Sequence, residues 1–291
     1  MSNKFVNYLK DKFKNYPMHV TDYGVLLLAD NMDILPKIMD RKFDLLLTDP
    51  PYGIKEDGKS NHSRGKGKTP EEHARRQAKA EARYYTPKDW DKEPPPPEYF
   101  QEVMRVTKNQ IIFGGNYFQS IMIEDKKNYE FVYNHNGEQV VRYEKRPALG
   151  ATPCWIVWDK DNGKTHFADC ELAWTSFDTA VRKYEYLWNG MLQKNKKKEG
   201  DRFHPTQKPI GLMRMILRDY SKKGDRIIDT HSGSAPTAIA SIDLKRYYLC
   251  IEKDKEYFDK SSEKIEYFKH GWNSKLTADD PKQKSQIGLE L

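Results

Sequence analysis

The chain has 291 residues, enough for one sizeable core with insertions. Only 37% of it is hydrophobic and 32% is charged, and no apolar run reaches the length of a membrane span or forms a signal peptide, which excludes a membrane-embedded class. The net charge of +7, with a pI near 9.0, suits a polyanionic partner.

The first strand signal is Val25-Leu26-Leu27-Leu28-Ala29, which ends at Asp30, an acid placed to cap a helix through Ile34 and Leu35. The second is Phe43-Asp44-Leu45-Leu46-Leu47-Thr48, closed by Asp49-Pro50-Pro51-Tyr52. An apolar run ended by an acid and two prolines reads as a buried strand breaking into a rigid loop. That puts a carboxylate, a proline-fixed backbone and an aromatic face at the C-terminal end of a strand, where ligands bind in open α/β sheets.

Residues 53–92 break the pattern. They hold Gly53, Gly58, Gly65 and Gly67, a basic run from Arg64 to Lys68 and a segment charge of +4. The stretch 70–83, rich in Ala, Arg, Lys and Glu, has the composition of a solvated helix. Pro94 to Pro97 form a stiff spacer into a helix over about 98–107. Gln110-Ile111-Ile112-Phe113 followed by Gly114-Gly115 predicts a strand and a glycine turn. Residues 123–152 read as a polar insertion with hairpin signals at Asn134-His135-Asn136-Gly137. Trp155 to Trp158 and Glu171 to Trp174 are further strand runs, with tryptophans that suit a core. The segment 177–203, with its lysine-rich run Lys194 to Lys198, reads as a second polar insertion outside the core.

His204-Pro205-Thr206-Gln207-Lys208-Pro209 leads into an amphipathic helix over about 208–222. Arg226-Ile227-Ile228-Asp229 then predicts a short strand, and the small-residue turn from Thr230 to Thr237 opens a helix through Ala238 and Ile242. Small residues let the backbone approach a ligand, and a helix N-terminus offers free N–H groups. Tyr247 to Glu252 is a strand ending in an acid, 23 residues beyond Asp229 and close to the ~20-residue spacing of an acid that binds ribose hydroxyls. A helix over about 254–268 and a polar tail from Gly271 complete the chain. Alternating β and α elements predict a largely parallel sheet covered on both faces. The three cysteines, Cys154, Cys170 and Cys250, are scattered in or beside strands, as buried thiols in a reducing cytoplasm would be, and they form no zinc cluster.

Asp49-Pro50-Pro51-Tyr52 resembles the catalytic motif of amino-group DNA methyltransferases. The turn from Asp229 resembles the S-adenosylmethionine loop of the same family, usually Asp-Pro-Phe-x-Gly-Ser-Gly-Thr-Thr. Here Thr230-His231 and Ala235-Pro236 depart from it, and Ala235 leaves room for a close ligand only at negative φ. The segment from His204 to Pro209 is similar to the one lining the methionine end of the cofactor in these enzymes. Catalytic motif first and cofactor loop more than 170 residues later is the order of the circularly permuted β class. The resemblance covers roughly residues 18–268 and implies a single domain over 18–270. It implies a Rossmann-like class I methyltransferase fold, an α/β architecture with permuted motif order.

The resemblance also implies the chemistry. The amine of a base is a poor nucleophile because its lone pair is delocalised into the ring. Acceptors aimed at its hydrogens favour a pyramidal nitrogen, by positioning and electrostatics. Asp49 and the Pro50 carbonyl would accept from the amine, Pro51 would stiffen the loop, and Tyr52 would stack on a base flipped from double-stranded DNA. Asp229, His231, Gly233, Ser234, Glu252, Thr206, Gln207 and Lys208 would hold S-adenosylmethionine, with Lys208 at its methionine carboxylate and Asp30 near its adenine. Transfer is expected to be direct, with no metal and no covalent intermediate. Pro153-Cys154 resembles the nucleophile segment of carbon-5 cytosine methyltransferases, but it opens a strand. Asp at position 49 favours adenine N6, with cytosine N4 as the alternative; RNA and protein-glutamine enzymes usually carry Asn there. A basic DNA-binding module with a decayed cofactor loop is the non-enzymatic alternative. Residues 53–97 would close over DNA as a mobile loop, and 177–203, together with 123–152, would read the target sequence. The resemblance is compatible with a homodimer and with a cognate restriction endonuclease. It implies a cytoplasmic, nucleoid-associated protein of bacterial or phage origin.

Overall fold

The alternating direction of successive side chains along the strands decides which residues meet the helices on each face. In a computed structural model of the chain, the described residues are 4–54, 90–133, 135–136, 138–162, 168–189, 192–200 and 202–269. The glycine and basic runs at 58–68, the predicted helix at 70–83 and the tail from Gly271 lie outside them. The helices are Lys4–Lys12 (α1), Asn31–Ile34 (α2), Pro97–Val106 (α3), Lys196–Glu199 (α4), Ile210–Tyr220 (α5), Pro236–Asp243 (α6) and Lys255–Tyr267 (α7). The strands are Met18–Val20 (β1), Gly24–Leu28 (β2), Phe43–Thr48 (β3), Thr107–Phe113 (β4), Met122–Tyr133 (β5), Gln139–Pro147 (β6), Trp155–Asp159 (β7), Cys170–Thr175 (β8), Arg182–Glu185 (β9), Trp188–Asn189 (β10), Leu192–Gln193 (β11), Arg226–Asp229 (β12) and Tyr247–Glu252 (β13).

Nine strands form one sheet in the order β1-β2-β13-β12-β3-β4-β8-β7-β9. From β2 to β4 every pairing is parallel, while β1 runs antiparallel at the edge and β8 runs antiparallel to both β4 and β7. The parallel strands are buried on both faces, so they read as continuous apolar runs rather than alternating ones. Successive side chains still point to opposite faces. Leu46, Ile228, Leu249 and Val25 pack with Val6 and Leu9 of α1 and with Phe100 and Val103 of α3. Leu45, Leu47 and Ile227 pack with Leu212, Met213 and Ile216 of α5, and Leu26, Tyr248 and Cys250 with α6 and α7. The expected Rossmann-like architecture is therefore present, with α1 and α3 on one face and α5, α6 and α7 on the other.

The helix ends follow from local chemistry. Pro97 occupies the first turn of α3, where a missing N–H costs nothing. Asp254 caps α7 by accepting from Tyr257 N at 3.1 Å. Strands β5 and β6 pair antiparallel as a separate two-stranded sheet with Tyr129, Phe131 and Tyr133 exposed; of the hairpin signals, Asn134 and Gly137 lie outside the described residues.

The segment 177–203 differs from its expectation. Strand β9 pairs in parallel with β7 in the main sheet, and Tyr184, Tyr186 and Trp188 are buried in the core. Their spacing of two residues is a strand signal that the neighbouring lysines obscure. Glu199, fully buried, accepts from Ile210 N at 2.6 Å and Gly211 N at 3.0 Å, and so satisfies the free N–H groups of α5 that Pro209 does not cap. Cys170 is exposed rather than buried. Cys154 is buried at the start of β7 beside Tyr220 and Thr179, outside the cleft described below.

Candidate active site

The C-terminal ends of β3 and β12 are adjacent because these strands pair in parallel. The two turns that follow them therefore open on the same side. Thr48, the last residue of β3, donates to Asp229 Oδ1 at 3.0 Å, and His231 N reaches the same oxygen at 3.2 Å. A cleft of about 1010 Å³ runs along these ends. Asp49 and Pro51 line it, as do Asp30, Thr206, Gln207, Lys208, Asp229, His231, Gly233, Ser234 and Glu252. Pro50 and Tyr52 are not among the lining residues.

The motif acid is held on both oxygens. Tyr52 Oη donates to Asp49 Oδ1 at 2.6 Å, and Lys208 Nζ donates to Oδ2 at 2.5 Å. Lys208 is thus engaged with the motif acid rather than standing free for a cofactor carboxylate, and it also pairs with Glu171 at 3.0 Å. Burial raises the Asp49 carboxyl above the usual carboxylate range; Lys208 pulls it back and Glu171 pushes it further up. The loop backbone is fixed by Asp91, whose Oδ1 accepts from Tyr52 N at 2.8 Å and Gly53 N at 2.9 Å. Tyr52 stacks on Tyr117 at 4.9 Å between centroids and 15° between planes. Gly114, at φ +69°, lets the chain pass the Tyr52 ring so closely that a Cβ would stand 2.1 Å from it.

Glu252 ties down the glycine turn. Its Oε2 accepts from Gly233 N and its Oε1 from Asp254 N, both at 2.8 Å. Burial raises its carboxyl to about 7 and that of Asp229 to about 6. Burial, together with the charge of Lys253, lowers His231 to about 3. Its ring is therefore neutral: Asn31 Nδ2 stands 3.0 Å from Nε2, and Nδ1 lies 3.1 Å from Thr230 Oγ1. Asp30 lines the cleft and also caps α2, accepting from Met32 N at 2.9 Å. Ala235 adopts φ +57°, so the condition of a negative angle for a close ligand is not met there; it is fully buried and outside the cleft lining. Four atoms of lining residues, Trp90 Nε1, Gln207 Nε2, Ser232 Oγ and Ser234 Oγ, are buried without a hydrogen-bond partner among the described residues. Trp90, His204 and Tyr257 form an aromatic wall, with ring centroids 5.4 and 4.4 Å apart. A cleft with acidic acceptors, unpaired polar atoms and apolar walls fits a ligand that carries hydroxyl and amino donors on a flat ring system.

The sequence profile of the N6_N4_Mtase family, described as DNA methylase, matches residues 43–263. The chain belongs to this family. The chain is 24% identical over 262 residues to the type II methyltransferase M2.LlaDCHI of Lactococcus lactis subsp. cremoris, covering 83% of this chain and 88% of that protein. It is 23% identical over 271 residues to the type II methyltransferase M2.DpnII of Streptococcus pneumoniae, covering 86% and 92%. Among solved structures it is similar to the cytosine-N4-specific PvuII DNA methyltransferase, with 12% identity, a TM-score of 0.45 and coverage of 86% and 92%.

Several residues at this candidate site were missed in the sequence. Glu171 had a signal, as the lone acid opening an otherwise apolar strand. Asp91, Tyr117 and Trp90 had none, because their roles depend on which loops meet. Lys160 pairs with Glu171 Oε1 at 2.6 Å across the β7–β8 hairpin, a contact that only strand register creates.

Proposed function

We propose that this DNA methylase transfers a methyl group from S-adenosylmethionine to the N6 amine of adenine in a base flipped out of double-stranded DNA. We also propose that it belongs to the circularly permuted β class. The observation that carries this reading is the placement of Asp49 in one cleft with Asp229, Glu252 and the Gly233 turn. An acceptor for an amine and a cradle for a nucleoside-bearing donor share one space. S-adenosylmethionine supplies an electrophilic methyl group. Glu252, Asp229 and Asp30 offer acceptors to its hydroxyl and amino groups; Ser234 and Gln207 bring unpaired buried atoms; Gly233, His231 and Thr206 complete the wall.

Asp49 accepts from the target amine through the lone pairs that Tyr52 and Lys208 leave open, with the Pro50 carbonyl as a second acceptor. Asp91 holds the loop that carries them. A base stacking on Tyr52 must displace Tyr117 from the ring it covers, and the aromatic contact offsets part of the few kcal/mol that extrusion costs. Asp rather than Ser at position 49 favours adenine. Sequencing of modified bases in DNA from cells that express the chain tests this directly. N6-methyladenine at one recognition sequence is expected; N4-methylcytosine would reassign the base.

The exposed β5–β6 hairpin and the lysines around Lys194 are proposed to contact the target DNA, within a cytoplasmic protein. The basic run from Arg64 to Lys68 is proposed to close over the DNA. Neutralising Arg64, Lys66 and Lys68 together is expected to weaken DNA binding at low salt and to flatten its salt dependence by about one slope unit for each phosphate no longer neutralised. Affinity measured across a salt series checks this; parallel lines of equal affinity would leave the DNA to the later lysines.

A further inference from the structure

A chain of alternating charges runs behind the motif acid. Lys160 Nζ stands 2.6 Å from Glu171 Oε1, Glu171 Oε2 stands 3.0 Å from Lys208 Nζ, and Lys208 Nζ stands 2.5 Å from Asp49 Oδ2. The four side chains come from four places: the residue after β7, the start of β8, the segment before α5 and the end of β3. Only 5% of the Lys208 side chain is exposed, so water screens the chain weakly at its centre. The Lys208 ammonium also faces the rings of Phe113 at 5.1 Å, Tyr52 at 5.8 Å and Trp158 at 6.0 Å. The other titratable neighbours of Asp49 are the Tyr52 hydroxyl at 2.6 Å and the more distant Asp229.

Direct amine methylation through Asp49 does not by itself call for Glu171. If Lys208 paired with Asp49 alone, the two would close into a neutral pair, and the ammonium would withdraw the electron density that Asp49 needs in order to accept from an amine. Shared between two carboxylates, one ammonium leaves negative charge at Asp49. Lys160, 17% exposed, meets the far oxygen of Glu171, while the near oxygen is held by the Lys208 ammonium at ion-pair distance without a geometric hydrogen bond.

We propose that Glu171 is a positioning residue that keeps Asp49 a strong, electron-rich acceptor for the target amine by sharing Lys208 with it. This rests on the reading of Asp49 as the amine acceptor. Lys208 thereby holds the acid in place without neutralising it.

The test is single-turnover methyl transfer from radiolabelled S-adenosylmethionine to unmethylated genomic DNA, measured against pH for the full chain and for Glu171→Gln, Glu171→Asp and Asp49→Ala. Rates are normalised to cofactor-binding sites counted by calorimetry, which removes misfolded protein from the comparison. Glu171→Gln is expected to lower the plateau rate at least about tenfold, the scale of a disturbed acid–base group. The Glu171 charge pushes the Asp49 carboxyl up, so its loss should move the acid limb of the profile to lower pH. Cofactor affinity should stay unchanged, and Glu171→Asp, which keeps the charge, should restore the limb. A normalised plateau and acid limb equal to wild type in Glu171→Gln, with Asp49→Ala inactive, would overturn the proposal and leave the role of Asp49 intact. A lowered plateau with an unmoved limb would overturn it too, in favour of a packing role. Turnover retained in Asp49→Ala would overturn the reading beneath it.

Discussion

Asp49→Ala is expected to lower turnover by ~100-fold or more, the effect of losing one oriented group at the reacting centre. The carboxylate lines the cleft and is fixed by Tyr52 Oη and Lys208 Nζ, so its removal takes away an acceptor without opening a strand. Affinity for S-adenosylmethionine should change little, because the acids at the ends of β12 and β13 remain. Asp49→Asn separates charge from shape: it keeps one acceptor oxygen but loses the partner of Lys208. Steady-state kinetics on DNA, with calorimetry of the cofactor alone, measure both quantities. Near-normal turnover in the alanine variant would show that the motif acid is not the amine acceptor.

The second large effect is expected on cofactor binding. Glu252→Ala should weaken S-adenosylmethionine binding without DNA by about 1.5–3 kcal/mol, the range for a charge-assisted hydrogen bond. That is roughly a 10- to 150-fold change in Kd. The variant also releases Gly233 N and Asp254 N from their acceptor, so the glycine turn loses its tether.

The pH dependence carries the same signature. Burial raises Glu252 to about 7 and Asp229 to about 6 in the free protein. These groups favour folding while protonated, below the usual carboxylate range. That contribution is lost as pH rises through about 6 to 7, where buried charges must form. Donors on the cofactor favour the ionised carboxylates, so affinity should rise between pH 6 and 8 and binding should release protons. Calorimetry in buffers of different ionisation enthalpy would detect that release. A Glu252→Gln variant should flatten the dependence, and an unchanged Kd in a folded Glu252→Ala variant would move the cofactor elsewhere.

Much of this architecture is written locally. Phe43 to Thr48 must be a strand because a continuous apolar run cannot be left in water, and it must stop at Asp49 because Pro50 and Pro51 cannot continue a ladder. Asp229, a small-residue turn and a helix with almost every residue buried are legible for the same reason, and Glu252 follows at a fixed spacing. The sequence was misleading where a local cue hid a tertiary one. The lysines near 194–198 mark a solvated surface, yet the alternating Tyr184, Tyr186 and Trp188 just before them are core. At Ala235 the sequence left the sign of φ open, and the turn into α6 takes it to the left-handed region.

By itself, then, the sequence determined the strand that ends in the motif acid, the strand-turn-helix of the second half and the acid 23 residues beyond Asp229, because turn chemistry and apolar periodicity act over a few residues. Only the tertiary structure decided that β3 and β12 lie side by side, bringing Asp49 and Asp229 into one cleft across 180 positions of chain. It also decided the partner of Lys208. A lysine side chain has no local preference among acids, and once buried its charge must take the carboxylates that packing delivers, here Asp49 and Glu171.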